Sequence, residues 1–266
     1  MADGKYQDPD GLYRDPNTVP HEGDLEREVR QRLTKLLEET PIPPEYLIDN
    51  LAVYLRRFEL CDLLSMDALY RMLLDQPGVI MEFGVLHGRH LAALTSLRHV
   101  YEPYNSLRRI IGFDTFKGLT GIADIDRAIP TTVDGRYAVP PDEVGHLREV
   151  LAAHEAGEPF GHVQRSFVVQ GDVRETVPKY LEEHPETVVA MAYFDVDLYE
   201  PTRDTLQAIR PHLTKGSIVV FDELTHPKWP GETAALRDVL GLGEVALRQI
   251  PVPGREPPVI YFRWGE

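Results

Sequence analysis

The chain holds a single cysteine, Cys61, among its 266 residues. One thiol excludes both a disulfide framework and a thiolate-rich zinc site, and it suits a reducing compartment. Long apolar runs are also missing. Nothing approaches the ~20 residues that a membrane-crossing helix requires, and the first residues lack the apolar core of a signal peptide. The expectation is a cytoplasmic protein with no membrane partner. Positive charge is in deficit, with 28 Lys and Arg against 43 Asp and Glu and a net charge of −15. That balance argues against a nucleic-acid partner or an anionic surface. Local basic pairs remain at Arg56-Arg57 and Arg108-Arg109. There is no internal repeat and no low-complexity tract.

What is present suits one large α/β domain with an appendage: 42% hydrophobic and 27% charged residues, in a chain long enough for a substantial core. The stretch 188–223 organises the rest. Two β-branched apolar runs, VVAMAYF and SIVVF, each end in carboxylates: Asp195 and Asp197 on the first, Asp222 and Glu223 on the second. A helix-length segment opened by Pro201 and closed by Gly216 separates them. This is a β-α-β unit with parallel strands, so both acidic ends emerge at one sheet edge, where open α/β sheets bind ligands. Gathered carboxylates repel one another unless a cation sits among them, and a hard divalent metal fits. Asp195, Asp222 and Glu223 are the expected metal set; Asp197 reads as a cap of the helix that follows.

Upstream, VIMEFG (79–84), RRIIGFD (108–114) and SFVVQGD (166–172) read as strands. Helices are expected over 86–100, 141–156, 175–183 and 231–240, and EVALRQI (244–250) with PVIYFRW (258–264) as a terminal hairpin about a PVPGREPP turn. The fold class is therefore α/β: five parallel strands plus a C-terminal antiparallel hairpin, in a doubly wound sheet. Residues 1–22 read as an arm, 24–40 and 45–75 as helices. The division expected is an N-terminal arm and helical cap over 1–78, a surface for a homo-oligomer, and a second domain over 79–266. The polar segment 115–140 is long enough to be a lid.

The first strand ends in Glu82, with Gly84 and Gly88 in the turn that follows. Those glycines let backbone approach a ligand, but the three-glycine dinucleotide fingerprint is absent. A carboxylate there suits a ligand carrying an ammonium and a sulfonium. Asp114, ending the second strand, can accept two ribose hydroxyls, and Asp172, ending the third, an adenine amino group. His226 follows the last acidic pair and is a candidate proton acceptor. His87 and His90 flank the glycine turn.

With these residues in hand, the chain resembles the macrocin O-methyltransferase family of class I S-adenosylmethionine enzymes. MEFGVLHG is similar to its E-x-G-V-x-x-G loop, and GFDTFKGL to F-D-S-F-x-G-L. GDVRETVP is similar to G-x-x-x-x-T-L-P, FDVDLYEPT to L-D-x-D-x-Y-x-S-T, and KGSIVVFDE to G-G-x-x-x-x-D-D. The helical opening is most similar to the branch acting on TDP-linked 6-deoxyhexoses such as rhamnose, enediyne biosynthesis among its settings. Arg89 and Glu223 depart from the pattern, standing where a glycine and an aspartate are usual.

The resemblance implies a Rossmann-like class I methyltransferase sheet and a magnesium-dependent transfer of methyl from S-adenosylmethionine to a sugar hydroxyl. It implies Glu82, Gly84, His87, Gly88, Asp114, Phe116 and Asp172 for the cofactor; Asp195, Asp222 and Glu223 for Mg2+; and Asp195 and His226 for proton transfer. Three rivals remain. A catechol-type O-methyltransferase wants a lysine where Leu198 stands, a D-x-D glycosyltransferase would use Asp195 and Asp197, and a scaffold would bind cofactor without chemistry.

Overall fold

In the computed structural model, which describes residues 24–128, 132–255 and 257–266, the sheet begins with the run that sequence alone marks most clearly. Strands β1 (Val79–Phe83) and β4 (Val189–Phe194) are buried at every position. Strands covered on both faces need near-continuous apolar runs rather than alternation, as VAMAYF is and VIMEF is but for Glu82. With β2 (Ile110–Asp114), β3 (Ser166–Gln170) and β5 (Leu213–Phe221) they form a parallel set in the order β3-β2-β1-β4-β5. Strand β7 (Ile260–Arg263) pairs antiparallel with β5, and β6 (Arg248–Gln249) completes the edge. The expected α/β class, five parallel strands plus an antiparallel hairpin, is what forms.

Helices cover both faces. On one side α3 (Arg57–Met72), α4 (Arg89–Tyr101) and α5 (Glu143–Ala156) pack Met66, Leu69, Leu94 and Leu147 against Ile80, Tyr193 and Val220. On the other, α6 (Val173–Glu183), α7 (Tyr199–Ile209) and α8 (Gly231–Val239) pack Val177, Leu206 and Leu236 against Met81, Phe113 and Phe221. The strand order reverses between β1 and β4, so the crevice at that switch point opens at the carboxyl ends of the strands. There Gly84, at φ +88°, lies so near β4 that an added Cβ would stand 1.8 Å from the Asp195 carbonyl oxygen. Only glycine fits both the left-handed backbone and the contact.

Several expected boundaries move, each for a local reason. Leu86 and Gly88 adopt positive φ, so the helix expected from 86 starts at Arg89. Strand β5 starts at Leu213 and runs through Gly216, which does not close the preceding helix. The 45–75 segment breaks into α2 (Pro44–Leu47), a 3-10 turn (Ile48–Tyr54) and α3, and α1 spans Asp24–Glu38. The terminal hairpin keeps only two residues of its first strand, Arg248 and Gln249, and its expected start at Glu244 is taken up by a 3-10 turn (Leu242–Glu244). The arm at 1–22, the lid residues 129–131 and Glu256 of the expected turn lie outside the described residues.

Candidate active site

A cavity of about 920 Å³ opens at the switch point. Gly84, His87, Asp114 and Asp172 lie on its wall, together with Asp195, Asp197, Asp222 and Glu223. The backbone brings them together because β1 to β5 all point their C-terminal ends the same way.

The glycine-turn half is held by carboxylates from neighbouring strands. Asp114 Oδ2 accepts from the amides of Val85 (2.7 Å) and Leu86 (2.9 Å), and Oδ1 from Phe116 (2.6 Å). In this arrangement Asp114 fixes the turn after β1 as well as facing the cavity. Phe116 is buried with the core rather than on the cavity wall. Gly88, at φ +85°, faces Leu147, which an added Cβ would meet at 2.3 Å. His87 is exposed, its Nδ1 3.1 Å from Glu143 Oε1. Asp172 caps α6 by accepting from the Arg174 amide at 2.9 Å, and pairs with its guanidinium at 2.7 Å. Burial works against that charge, but the Arg174 bonds outweigh it and hold the carboxyl below its ordinary value.

Glu82 lies beneath the wall, fully buried, beside His90. His90 is the centre of the site, and the sequence marks it only by its place near the turn. Its Nε2 is 2.9 Å from Asp62 Oδ2, and its Nδ1 is 3.5 Å from Glu82 Oε1 and 3.9 Å from Asp195 Oδ2. Burial disfavours the imidazolium, yet the bonds and charges of Asp62 and Glu82 prevail and push its pKa up to about 10. Asp62, itself buried, is held down at about 2 against that burial by His90, Arg89 and Arg255. Arg89 Nε is 2.7 Å from Asp62 Oδ2, so the residue that replaces a family glycine has a defined ionic partner.

The acidic end is under strain. Burial, then Asp222, push the Asp195 carboxyl well above the usual carboxylate range, although a third of the side chain is exposed. Burial together with Asp197, Asp222 and Asp195 raises Glu223 to about 9, and its Oε2 is buried without a hydrogen bond. Glu232 of α8, fully buried, accepts from the Glu223 amide at 3.1 Å and is pushed up by burial and the same cluster. Asp222 Oδ1 accepts from Tyr193 Oη (3.1 Å) and Arg255 Nη2 (2.8 Å). Both donors fall on one oxygen, which fixes the carboxylate and leaves Oδ2 for another partner. His226 stands beside Glu223, Nδ1 to Oε2 3.6 Å.

Among the described residues no three of these side chains converge closely enough to ligate an ion as they stand. The chemistry of the set nevertheless fits a hard divalent cation: all-oxygen donors, an orphaned buried Glu223 oxygen, and a Glu223 carboxyl raised by burial and then by its acidic neighbours. Asp197 has positive φ (+62°), and the first amide of α7, Tyr199, donates instead to Asp126 Oδ1 at 3.0 Å. The expected capping by Asp197 is thus replaced by a residue of the 115–140 segment. That segment is folded on itself: Lys117 bridges Ala138, and Leu119 and Tyr137 pack with Leu198 and Trp229.

Sequence reading missed Asp62, Arg255, Glu232 and Asp126. For two of them a signal existed. Asp62 shares a helical face with Met66 and Leu69, and Glu232 lies among the buried Ala235 and Leu236. A charge inside an apolar stripe requires a partner. Arg255 sits in a turn whose path no local pattern reveals.

A family model for a methyltransferase domain matches residues 81–224. The structure is similar to that of CalS11, a calicheamicin methyltransferase, with 60% identity, TM-score 0.90, and 95% of this chain and 98% of that chain covered. It is also similar to the apo structure of CalS11, there described as a TDP-rhamnose 3'-O-methyltransferase of calicheamicin biosynthesis, at 57% identity and TM-score 0.81, covering 92% and 97%. The O-methyltransferase NovP shares the fold at 19% identity and TM-score 0.59, covering 76% of this chain and 79% of that one. No curated protein sequence matches.

Proposed function

The chain belongs to the methyltransferase family, and on that premise we propose that it transfers a methyl group from S-adenosylmethionine to a hydroxyl of a TDP-linked 6-deoxyhexose such as rhamnose. The carrying observation is the cavity itself, which joins a glycine turn to a buried acidic end within one space. Similarity across nearly the whole length to a TDP-rhamnose methyltransferase supports the acceptor.

In this reading Asp195 accepts the hydroxyl proton. Its side chain is one-third exposed on the cavity wall, where a hydroxyl seated in the cavity can meet it. The imidazolium of His90, 3.9 Å away, orients it and offsets part of the negative charge. S-adenosylmethionine, when bound, supplies the methyl group and leaves as S-adenosylhomocysteine, its sulfur keeping the electron pair of the broken bond. The sugar oxygen forms the new C–O bond. Magnesium, held by Asp195, Asp222 and Glu223, would supply the charge that acidifies the hydroxyl.

Gly84, Asp114 and Asp172 line the cofactor half, with Gly88 in the turn behind them, and segment 115–140, pinned to α7 through Asp126, serves as the lid that excludes water. His226 stands next to Glu223, with Nδ1 3.6 Å from Oε2. Self-association through the N-terminal helices fits their exposed Leu25, Ile48, Leu51 and Val53, and the absence of any buried residue in α1. The single buried thiol fits a reducing cytoplasm. Among the described residues no helix is long and apolar enough to cross a membrane.

The test is incubation with S-adenosylmethionine, magnesium and a panel of TDP-deoxysugars, followed by mass spectrometry. A gain of one methylene on the sugar supports the reading; unchanged sugars across the panel reject it.

A further inference from the structure

We propose that Arg57, with Arg56 and with Arg30 from α1, forms a subsite for the diphosphate of the nucleotide-linked acceptor; this rests on the reading that the acceptor is a TDP-sugar. A diphosphate brings at least two negative charges into a protein whose net charge is −15. In that reading the two ends described so far are already assigned, the acidic one to magnesium and the sugar hydroxyl and the glycine turn to S-adenosylmethionine. The acidic end carries Asp195, Asp197, Asp222 and Glu223, and the glycine-turn end carries Asp114 and Asp172. Like charges at such distances repel strongly in a partly desolvated cavity.

The third wall is different. It is built by α1, the first turn of α3 and the C-terminal loop, and places Arg30, Arg56 and Arg57 on the cavity beside Glu59, which pairs with Arg56, and Glu26, which pairs with Arg57. The other arginines of the wall are committed elsewhere: Arg89 to the buried Asp62 at 2.7 Å, and Arg255 to Asp62 and Asp222. The second basic pair in the sequence does not reach the cavity. Arg108 is buried against Glu102 and the carbonyls of Gly78 and Gln76, and Arg109 pairs with Glu186 at 2.8 Å. Of two arginine pairs in the chain, one faces the ligand space.

The present contacts of Arg57 are exchangeable. Arg57 Nη2 is 3.3 Å from Glu26, with both side chains more than half exposed (64% and 51%), and Nη1 donates to the Gly254 carbonyl. An exposed ion pair of this kind contributes little in water. Replacing the Glu26 carboxylate by a doubly charged diphosphate, whose oxygens match the guanidinium fork, is favourable. Arg57 also contacts α1, through Glu26, and the C-terminal loop, through Gly254.

TDP alone is the probe, titrated by calorimetry against the full chain, with S-adenosylhomocysteine titrated in parallel to report the other half of the cavity. Arg57→Ala and Arg30→Ala are expected to weaken TDP by about tenfold or more, Arg57→Lys to recover part of the loss, and S-adenosylhomocysteine affinity to stay within about twofold. Because Arg56 also pairs with Glu59 at the start of α3, its alanine variant is paired with Arg56→Lys and a melting curve. KM for the TDP-sugar should rise with kcat nearly unchanged. Unaltered TDP affinity in Arg57→Ala and Arg30→Ala, in an enzyme that methylates TDP-rhamnose, would overturn the subsite and leave the reaction standing. TDP binding through these arginines in an enzyme that methylates no TDP-sugar would overturn the reaction and leave the subsite standing.

Discussion

Arg255 donates from Nη2 to Asp222 Oδ1 across 2.8 Å, and through this contact the C-terminal loop sets the orientation of an active-site carboxylate. The same guanidinium lies 3.3 Å from Asp62 on α3 and stacks 5.1 Å from the Phe58 ring centroid. The N-terminal helices, the C-terminal loop and the end of β5 thus meet at one buried cation. Replacing it removes one cation from the buried Asp62, which keeps His90 and Arg89, and from Asp222, which keeps the Tyr193 hydroxyl, a loss of about 1 to 3 kcal/mol. Arg255→Met is expected to lower the urea midpoint accordingly and to reduce kcat, with Arg255→Lys intermediate. A midpoint equal to that of the wild type would contradict the role.

Stability should fall on the alkaline side. His90 is raised from 6.5 to about 10, so its contribution is complete below 6.5 and is lost as pH rises through 10. Glu223, raised from 4.5 to about 9, acts in the same direction: the folded state favours its proton, and the contribution is lost as pH climbs to 9. Asp62 works oppositely, its contribution complete above 3.8 and lost only as pH falls through 2. Urea melts should therefore show a midpoint that declines between pH 6.5 and 10, with a smaller decline in Glu223→Gln. A flat profile over that window would refute the assignment of these charges.

Gly84→Ala tests the close approach at the switch point. The new Cβ would stand 1.8 Å from the Asp195 carbonyl oxygen in a backbone at φ +88°, so β1 and β4 must part. Loss of several kcal/mol is expected, since strain and a broken strand contact add. Circular dichroism melts read this directly, and a melting temperature near that of the wild type would show that the turn has room.

Much of the sheet was legible in the sequence because its signals are local. Val189–Phe194 is an unbroken apolar run that leads into Asp195, and Val79–Phe83 is apolar but for Glu82, carboxylates that a parallel sheet brings to one edge. The glycine turn was legible for the same reason. What escaped were partners joined only by the fold. Asp126 and Tyr199 meet across the lid, and Asp62, His90 and Arg255 come from two helices and a loop distant in sequence. The assignment of Asp197 to the α7 cap failed because its left-handed backbone and a closer competitor, Asp126, were invisible to spacing. Helix starts shifted where Leu86 and Gly88 took positive φ, which composition does not report.

The central claim is that Asp195 takes the proton from a TDP-sugar hydroxyl in a methyl transfer. Its most direct measurement is turnover of TDP-rhamnose by Asp195→Asn, with S-adenosylhomocysteine affinity determined alongside. The account predicts a fall in kcat of about 10²- to 10⁴-fold at unchanged cofactor affinity. Near-normal turnover by the variant would contradict it.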